Sequence, residues 1–197
     1  MAGMGKGRME GFSDGVMAII ITIMVLELRV PHGSDLGALR PLIPAFLSYV
    51  LSFVYIGIYW NNHHHLMHAA KKVSGGMLWA NLNFLFWLSL FPFATAWMGE
   101  NHFETMPSAV YGFVLLMTAI AYYLLQRSII FANEPESALK HAIGKDWKGK
   151  LPPLLYVIAI ILSFRVNWIA QVLYVSVALI WLVPDRRIER AIGVAGS

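Results

Sequence analysis

Long stretches without a charged residue are the feature of this sequence that most limits its fold. Five such stretches cover residues 41–70, 73–99, 105–126, 151–164 and 166–184. A helix needs about 20 mostly apolar residues to cross a bilayer, because each residue adds about 1.5 Å along its axis. The first three stretches meet this length and the last is adequate. The chain is therefore predicted to be an integral membrane protein.

Composition agrees with a membrane location. Charged residues make up 13% of the chain, against about 25% in soluble domains, which is too few to cover a soluble surface of this size. The absence of cysteine excludes disulfides, thiolate catalysis and cysteine zinc sites. The sequence also lacks a nucleophile elbow, a glycine-rich phosphate loop and paired carboxylates. We therefore expect no enzymatic activity, no bound cofactor and no bound metal ion.

Two segments need separate interpretation. Residues 15–26 form a short apolar core between Asp14 and Glu27. We interpret this core as part of a helix over residues 8–30 that carries charges into both membrane edges, where charges usually face protein or water. The short segment 151–164 either extends into the preceding lysine-rich stretch and spans the membrane or is re-entrant, and we favour a span.

The predicted architecture is all-α, with one domain over residues 1–197 and six transmembrane helices. The predicted spans are residues 8–30, 41–66, 75–99, 106–130, 149–164 and 167–184. Six spans place both termini on one side, which carries twelve of the 15 Lys and Arg residues. These are Lys6, Arg8, Lys71, Lys72, Arg127, Lys140, Lys145, Lys148, Lys150, Arg186, Arg187 and Arg190. The positive-inside rule puts this side in the cytoplasm, so the net charge of +4 predicts no nucleic-acid partner.

The first predicted helix carries an aliphatic stripe. At about 100° per residue, Ile19, Ile23 and Leu26 fall within about 60° of one another. Thr22 lies at the edge of the stripe and Asp14 points almost to the opposite side. Such a stripe can face lipid or pack between helices, or it can form aliphatic rings around a symmetry axis that close a pore by excluding water. The charged helix ends, the polar Thr22 and the lack of a long apolar run favour the rings.

The residues around this stripe resemble those of a known family. Residues 8–15 read RMEGFSDG and are followed by Ile19, Thr22 and Leu26, a pattern similar to that of the transmembrane protein 175 family of potassium-permeable channels. A second similar element is WNNH at residues 60–63. The specific motifs cover the first two helices, and the number and orientation of the spans extend the resemblance to the whole chain.

The resemblance implies a homotetramer of six-helix subunits whose first helices line a central pore. It implies a constriction at Ile19, further hydrophobic layers at Ile23 and Leu26, and a contribution of Thr22 to potassium selectivity. It also implies a supporting polar network beside the pore helix. This network would comprise Arg8, Phe12, Ser13, Asp14, Trp60 and His63. We accordingly expect a passive potassium-selective channel in the prokaryotic plasma membrane, with the lipid bilayer, potassium ions and its own copies as partners.

Selectivity and gating would then come from hydrophobic rings and not from a carbonyl filter. The TVGYG ladder of familiar potassium channels is absent, and the nearest sequence, AVYG at residues 109–112, is interpreted as packing. An ion at a narrow apolar ring keeps part of its water shell or loses it at a cost in free energy. Because potassium holds water less tightly than sodium, we expect K⁺, Rb⁺ and Cs⁺ to pass, with weaker sodium exclusion than a carbonyl filter gives.

Alternative interpretations remain for both the chain and its histidines. A proton-coupled secondary cation transporter could use Arg8, Asp14 and His63 with the neighbouring histidines, and a purely structural membrane protein is a third possibility. Residues 63–65 and His68 suggest zinc, because His64 and His68 lie one helical turn apart. Because the sequence offers no nearby carboxylate or cysteine to complete a zinc shell, we favour interfacial histidines, or a hydrogen bond from His63 to the Arg8–Asp14 region that protonation would tune.

Four further residues carry expectations about local structure. Pro92 is expected to kink the third span. Asn81 and Asn83, which lie within apolar sequence, are expected to bond to neighbouring helices. Asn167 is expected to cap the sixth helix.

Overall fold

The computed structural model describes residues 5–133 and 147–182, without the side chains of 147–150, and assigns no strand within them. The elements are helix α1 (Lys6–Leu26), a 3₁₀ helix (Leu36–Leu42), α2 (Ile43–Ala69), α3 (Gly75–Ser89), α4 (Phe91–Glu100), α5 (Thr105–Ala132), α6 (Trp147–Ser163) and α7 (Asn167–Leu182). Helices satisfy every backbone hydrogen bond within one segment, as a bilayer core without water requires.

Four helical stretches are long and apolar enough to cross a membrane, so the chain is a multi-pass membrane protein. They are Lys6–Leu26, Leu36–Ala69, Gly75–Glu100 and Thr105–Ala132. The apolar helices α6 and α7 are shorter, at 17 and 16 residues, or about 25 Å each. They correspond to the predicted spans 149–164 and 167–184, and six complete spans remain a prediction.

The side of the membrane that holds the termini also remains a prediction. Helix α6 begins within the lysine-rich stretch, as expected for a segment that extends in this direction. Several of the basic residues behind the orientation lie outside the described residues. They are Lys140, Lys145, Arg186, Arg187 and Arg190.

The third predicted span is divided into two helices, in agreement with the kink expected at Pro92. Helix α3 ends at Ser89 and α4 begins at Phe91, with Leu90 between them. Pro92 lies in the first turn of α4, where its missing N–H has no intrahelical partner to lose.

Helix α1 lies against α2, α3 and α4, while α5, α6 and α7 form a second layer behind them. Helix α5 packs against α3 and α6, α6 packs against α7, and α7 returns to α2. The covered side of α1 carries a series of buried residues at helical spacing. These are Met9, Ser13, Met17, Ile20 and Met24.

Residues 109–112 are interior packing, as predicted. The hydroxyl groups of Tyr111 and Ser52 are 3.0 Å apart, and the Tyr111 ring meets the Tyr174 ring edge-on at 5.6 Å. Gly112 makes room for Tyr174, because a Cβ atom at this position would lie 2.8 Å from Tyr174 Cζ and 2.9 Å from Ile160 Cγ1.

The prediction that Asn167 caps the sixth helix is wrong. Asn167 is the first residue of α7 and follows the capping position. Its side-chain amide nitrogen donates a hydrogen bond to the carbonyl oxygen of Phe103. The side-chain oxygen, which a cap would use as the acceptor, has no hydrogen-bond partner among the described residues.

Candidate functional site

One face of α1 is left uncovered by the rest of the subunit. Ile19, Ile23 and Leu26 expose 58%, 41% and 80% of their surface. The residues Ile20 and Met24, which alternate with them, are buried because α2, α3 and α4 cover that side. The aliphatic stripe predicted from the sequence is therefore a continuous exposed surface of the single subunit.

The same face continues to the N-terminal end of α1 with small, aromatic and basic residues. Gly11 and Gly15 are exposed, and a Cβ atom at either position would meet nothing within 4 Å. Phe12 and Arg8 are exposed beside them. The uncovered face is thus aliphatic towards its C-terminal end and carries a positive charge at its N-terminal end.

Thr22 supplies the polar group of the aliphatic part of this face. Its side chain is exposed, and its hydroxyl donates a hydrogen bond to the carbonyl oxygen of Ile19 at 2.8 Å. Because the proton is used within the helix, the lone pairs of the hydroxyl oxygen are available to a cation or to its water shell.

A chain of hydrogen bonds joins α1 to α2 and α3 on the covered side. The Asn81 amide nitrogen donates to Ser13 Oγ at 2.9 Å, and Ser13 Oγ donates to the carbonyl oxygen of Met9 at 2.9 Å. The Asn81 carbonyl oxygen lies 2.9 Å from His63 Nε2. Since the Asn81 nitrogen is already the donor to Ser13, this arrangement assigns the donated proton to His63 Nε2. The His63 ring stacks on Phe84 with centroids 5.9 Å apart.

A second set of contacts ties the edge of α1 to α2. Trp60 Nε1 donates to Asp14 Oδ1 at 3.0 Å. One turn earlier on α1, Glu10 Oε1 lies 3.1 Å from His64 Nδ1. Lys6 Nζ donates to the carbonyl oxygen of His68 at 3.0 Å. Each contact pairs a residue on the first half of α1 with one of the last ten residues of α2.

The structure brings four of the six predicted network residues into these contacts. Ser13 and His63 are connected through Asn81, and Asp14 and Trp60 are bonded directly. Arg8 and Phe12 lie on the exposed face of α1, and no hydrogen bond or ion pair joins either to the network within the described subunit.

Two members of this arrangement were not assigned to the network from the sequence. Asn81 was expected to bond to a neighbouring helix, which it does, but its role as the bridge between Ser13 and His63 depends on tertiary packing. Glu10 precedes Asp14 by one helical turn, and this i, i+4 spacing is the signal that would have placed both carboxylates beside α2.

The histidines on α2 make hydrogen-bonding and ring contacts. His64 stacks against His68 with centroids 6.5 Å apart and bonds to Glu10. In the described part of the chain, no group of three or more His, Cys, Asp or Glu residues is arranged to hold a metal ion.

Comparison with known proteins identifies the family. Residues 8–92 match the family described as the endosomal/lysosomal potassium channel TMEM175. A potassium channel of Chryseobacterium sp. (strain P1-3) is 55% identical over 189 residues, which cover 96% of this chain and 98% of that protein. An endosomal/lysosomal proton channel TMEM175 of Gallus gallus is 37% identical over 103 residues, or 46% of this chain and 21% of that protein.

A solved structure has a similar fold. It is the crystal structure of a lysosomal potassium-selective channel TMEM175 homolog from Chamaesiphon minutus, with a TM-score of 0.75 and 28% sequence identity. The match covers 89% of this chain and 95% of that one. The near full-length bacterial relative and the match over the first helices together show that this chain belongs to the TMEM175 family.

Proposed function

We propose that this chain is the subunit of a passive potassium-selective cation channel, and that four copies surround a pore lined by the exposed face of α1. The observation that carries the proposal is the exposure of Ile19, Ile23 and Leu26 on one uncovered face. The bacterial relatives named as potassium channels support the choice of ion.

The polar groups on the uncovered face favour a pore over a lipid contact. A lipid-facing helix would not need the exposed Thr22 within its aliphatic stripe or Arg8 at its N-terminal end. When α1 faces a shared axis instead, Arg8 meets the aqueous entrance and the three aliphatic residues form successive rings. Each subunit then contributes one α1 to the pore wall, and α2 and α3 pack against the side of α1 that faces away from the axis.

Ion selection in this arrangement depends on partial dehydration. An apolar ring offers no oxygen atoms in exchange for water, so the passing ion keeps much of its water shell. Potassium loses water more readily than sodium, and the lone pairs of four Thr22 hydroxyls replace part of the loss. The same reasoning gives Rb⁺ and Cs⁺ as further permeant ions.

Gating follows from movement of α1 against its supports. The hydrogen bonds of Ser13 and Asp14 hold the first half of α1 to α3 and α2. A rotation or outward tilt of α1 widens the rings, and a wider apolar ring fills with water and conducts. This mechanism uses no enzyme chemistry and no cofactor, and we place the channel in the prokaryotic plasma membrane with both termini cytoplasmic.

The experiment is a potassium flux assay on purified protein in liposomes, with Ile19→Asn as the main variant. A polar ring at the constriction is expected to raise potassium flux and to lower the ratio of potassium to sodium permeability. Val25→Asn is the matched control, because Val25 is also exposed on α1 but lies about 120° around the helix from Ile19. Equal effects of the two substitutions would remove Ile19 from the constriction.

The rival proposal is a proton-coupled cation carrier that uses Arg8, Asp14 and His63. The vertebrate relatives named as proton channels make proton movement worth measuring in the same liposomes. A channel passes potassium under voltage alone, without a proton gradient and far faster than a carrier turns over. Potassium uptake that saturates and requires an opposing proton gradient would support the carrier.

A further inference from the structure

Two asparagine side chains that are not buried in the subunit lie within helical stretches long and apolar enough to cross a membrane. Asn83 is exposed on α3 and Asn61 is half-buried on α2. Neither amide makes a hydrogen bond within the part of the chain that the structure describes. An amide that faces acyl chains has no partner, which is unfavourable, so polar residues in transmembrane helices usually bond to protein.

The two amides lie at the same depth. Asn61 precedes the end of α2 by eight residues, and Asn83 follows the start of α3 by eight residues. The loop of residues 70–74 joins these two ends, so both amides are about 12 Å from the same side of the bundle.

They also point in opposite directions. The inner faces of α2 and α3 face each other, because Tyr59 meets Phe84 with ring centroids 5.6 Å apart and His63 contacts Asn81. Asn61 follows Tyr59 by two positions and Asn83 follows Asn81 by two, which turns each by about 200° from these inner faces. The two amides therefore lie on opposite sides of the α2–α3 pair.

We propose that Asn61 of one subunit and Asn83 of the next are hydrogen-bonded partners across the contact between copies of this chain. This inference rests on the cyclic assembly of the proposed function. In a ring, one flank of each copy meets the opposite flank of the next, and the matched depth brings the two amides level.

Each amide has both donor and acceptor atoms, so the two amides can form a reciprocal pair of hydrogen bonds. The exposed side chains of Trp79 and Phe86, which share the outward face of α3 with Asn83 and expose 75% and 55% of their surface, supply apolar area for the same contact.

The first test is disulfide cross-linking in native membranes. The chain contains no cysteine, so no native thiol contributes background cross-links. The double variant Asn61→Cys/Asn83→Cys is expected to give dimers, trimers and tetramers on oxidation, and either single variant should remain monomeric on a denaturing gel. The matched control is Asn61→Cys/Leu154→Cys, because Leu154 is also exposed but lies on α6, and it should not cross-link.

A third variant separates this contact from the assembly on which it rests. Ile19→Cys alone is expected to cross-link if the α1 helices share an axis. Linkage through Ile19→Cys without linkage of the asparagine pair would overturn the amide contact and leave the pore intact. Linkage through neither would remove both the shared axis and the contact.

The second test asks whether the two amides act on each other. Asn61→Leu and Asn83→Leu are each expected to lower the fraction of tetramer on dilution in detergent, and the double variant should be no worse than either one, because a single shared bond is lost. If lipid covers these positions, leucine leaves the tetramer fraction unchanged or raises it, and this result would contradict the proposal.

Discussion

Trp60 Nε1 donates a hydrogen bond to Asp14 Oδ1 at 3.0 Å, which joins the second helix to the motif carboxylate of the first. Asp14 lies about 1.4 turns before Ile19 on the same helix, and it points away from the exposed face. The contact therefore holds the exposed aliphatic face in its orientation without contributing a group to it.

Removal of the indole donor should loosen α1. Trp60→Phe keeps an aromatic ring at this position but leaves Asp14 without the N–H group that it accepts from. We expect a loss of about 1 kcal/mol of unfolding free energy, the typical net contribution of one hydrogen bond, together with a change in potassium flux. Unfolding in detergent and flux into liposomes would be measured on the same protein.

Trp168→Phe is the control for this change. Trp168 is exposed on α7, and its indole makes no hydrogen bond among the described residues. The control should therefore change neither the unfolding free energy nor the potassium flux. An equal loss in the two variants would show that indole size, and not the bond to Asp14, determines the effect.

Features with a short sequence period could be predicted from the sequence. The exposed stripe of Ile19, Ile23 and Leu26 follows from helical spacing, and the break near Leu90 follows from Pro92. The partners of Asn81 and Asn167 could not be predicted, because helical spacing says only that an amide lies on a face. Ser13 is the partner of Asn81 and Phe103 is the partner of Asn167, and each lies more than 60 residues away in sequence.

The assembly of several copies is predicted only from the resemblance to a known family and not from the residues themselves. A stripe such as that at Ile19 has the same spacing whether it meets lipid, another helix or three copies of itself. The single subunit adds that α2, α3 and α4 leave this stripe uncovered, which spacing alone could not establish.

The buried bridge at Asn81 should be required for stability. Asn81→Leu keeps the side chain near its original size but leaves His63 Nε2 without an acceptor and Ser13 without one of its donors. Because these groups are buried, we expect a loss of about 1–3 kcal/mol, measured by reversible unfolding in detergent at fixed protein concentration. Ser89→Ala serves as the control, since its exposed hydroxyl bonds only within its own helix; a comparable loss there would argue against the bridge.

Gly112 should not tolerate a methyl group. A Cβ atom there would meet the hydroxyl of Tyr174 closer than any real contact allows, and Ile160 at 2.9 Å, so Gly112→Ala forces α5 away from α6 and α7. In α2, Gly57→Ala places its Cβ atom in open space and should stabilise the protein by about 1 kcal/mol through helix propensity.

Opposite shifts in the midpoint of thermal unfolding are therefore expected for these two alanine variants. The addition of Tyr174→Phe to Gly112→Ala removes the nearest atom and should restore part of the loss. Failure of this rescue would place the strain at the remaining ring carbon Cζ or at Ile160 Cγ1, which would lie 2.8 Å and 2.9 Å from the added Cβ atom.

Thr22 offers a test of selectivity that leaves the aliphatic rings unchanged. Thr22→Val has nearly the same shape but no hydroxyl oxygen, so it removes the only exposed side-chain oxygen between Ile19 and Leu26. Potassium, which sheds water more readily, then loses the oxygen that replaces part of its water shell, so potassium flux should fall and the ratio of potassium to sodium permeability should decrease. The ratio is read from the reversal potential under a two-ion gradient. Thr22→Ser keeps the hydroxyl, which can still donate to the Ile19 carbonyl, and should stay close to the parent protein; a valine variant with an unchanged ratio would leave selectivity to the apolar rings alone.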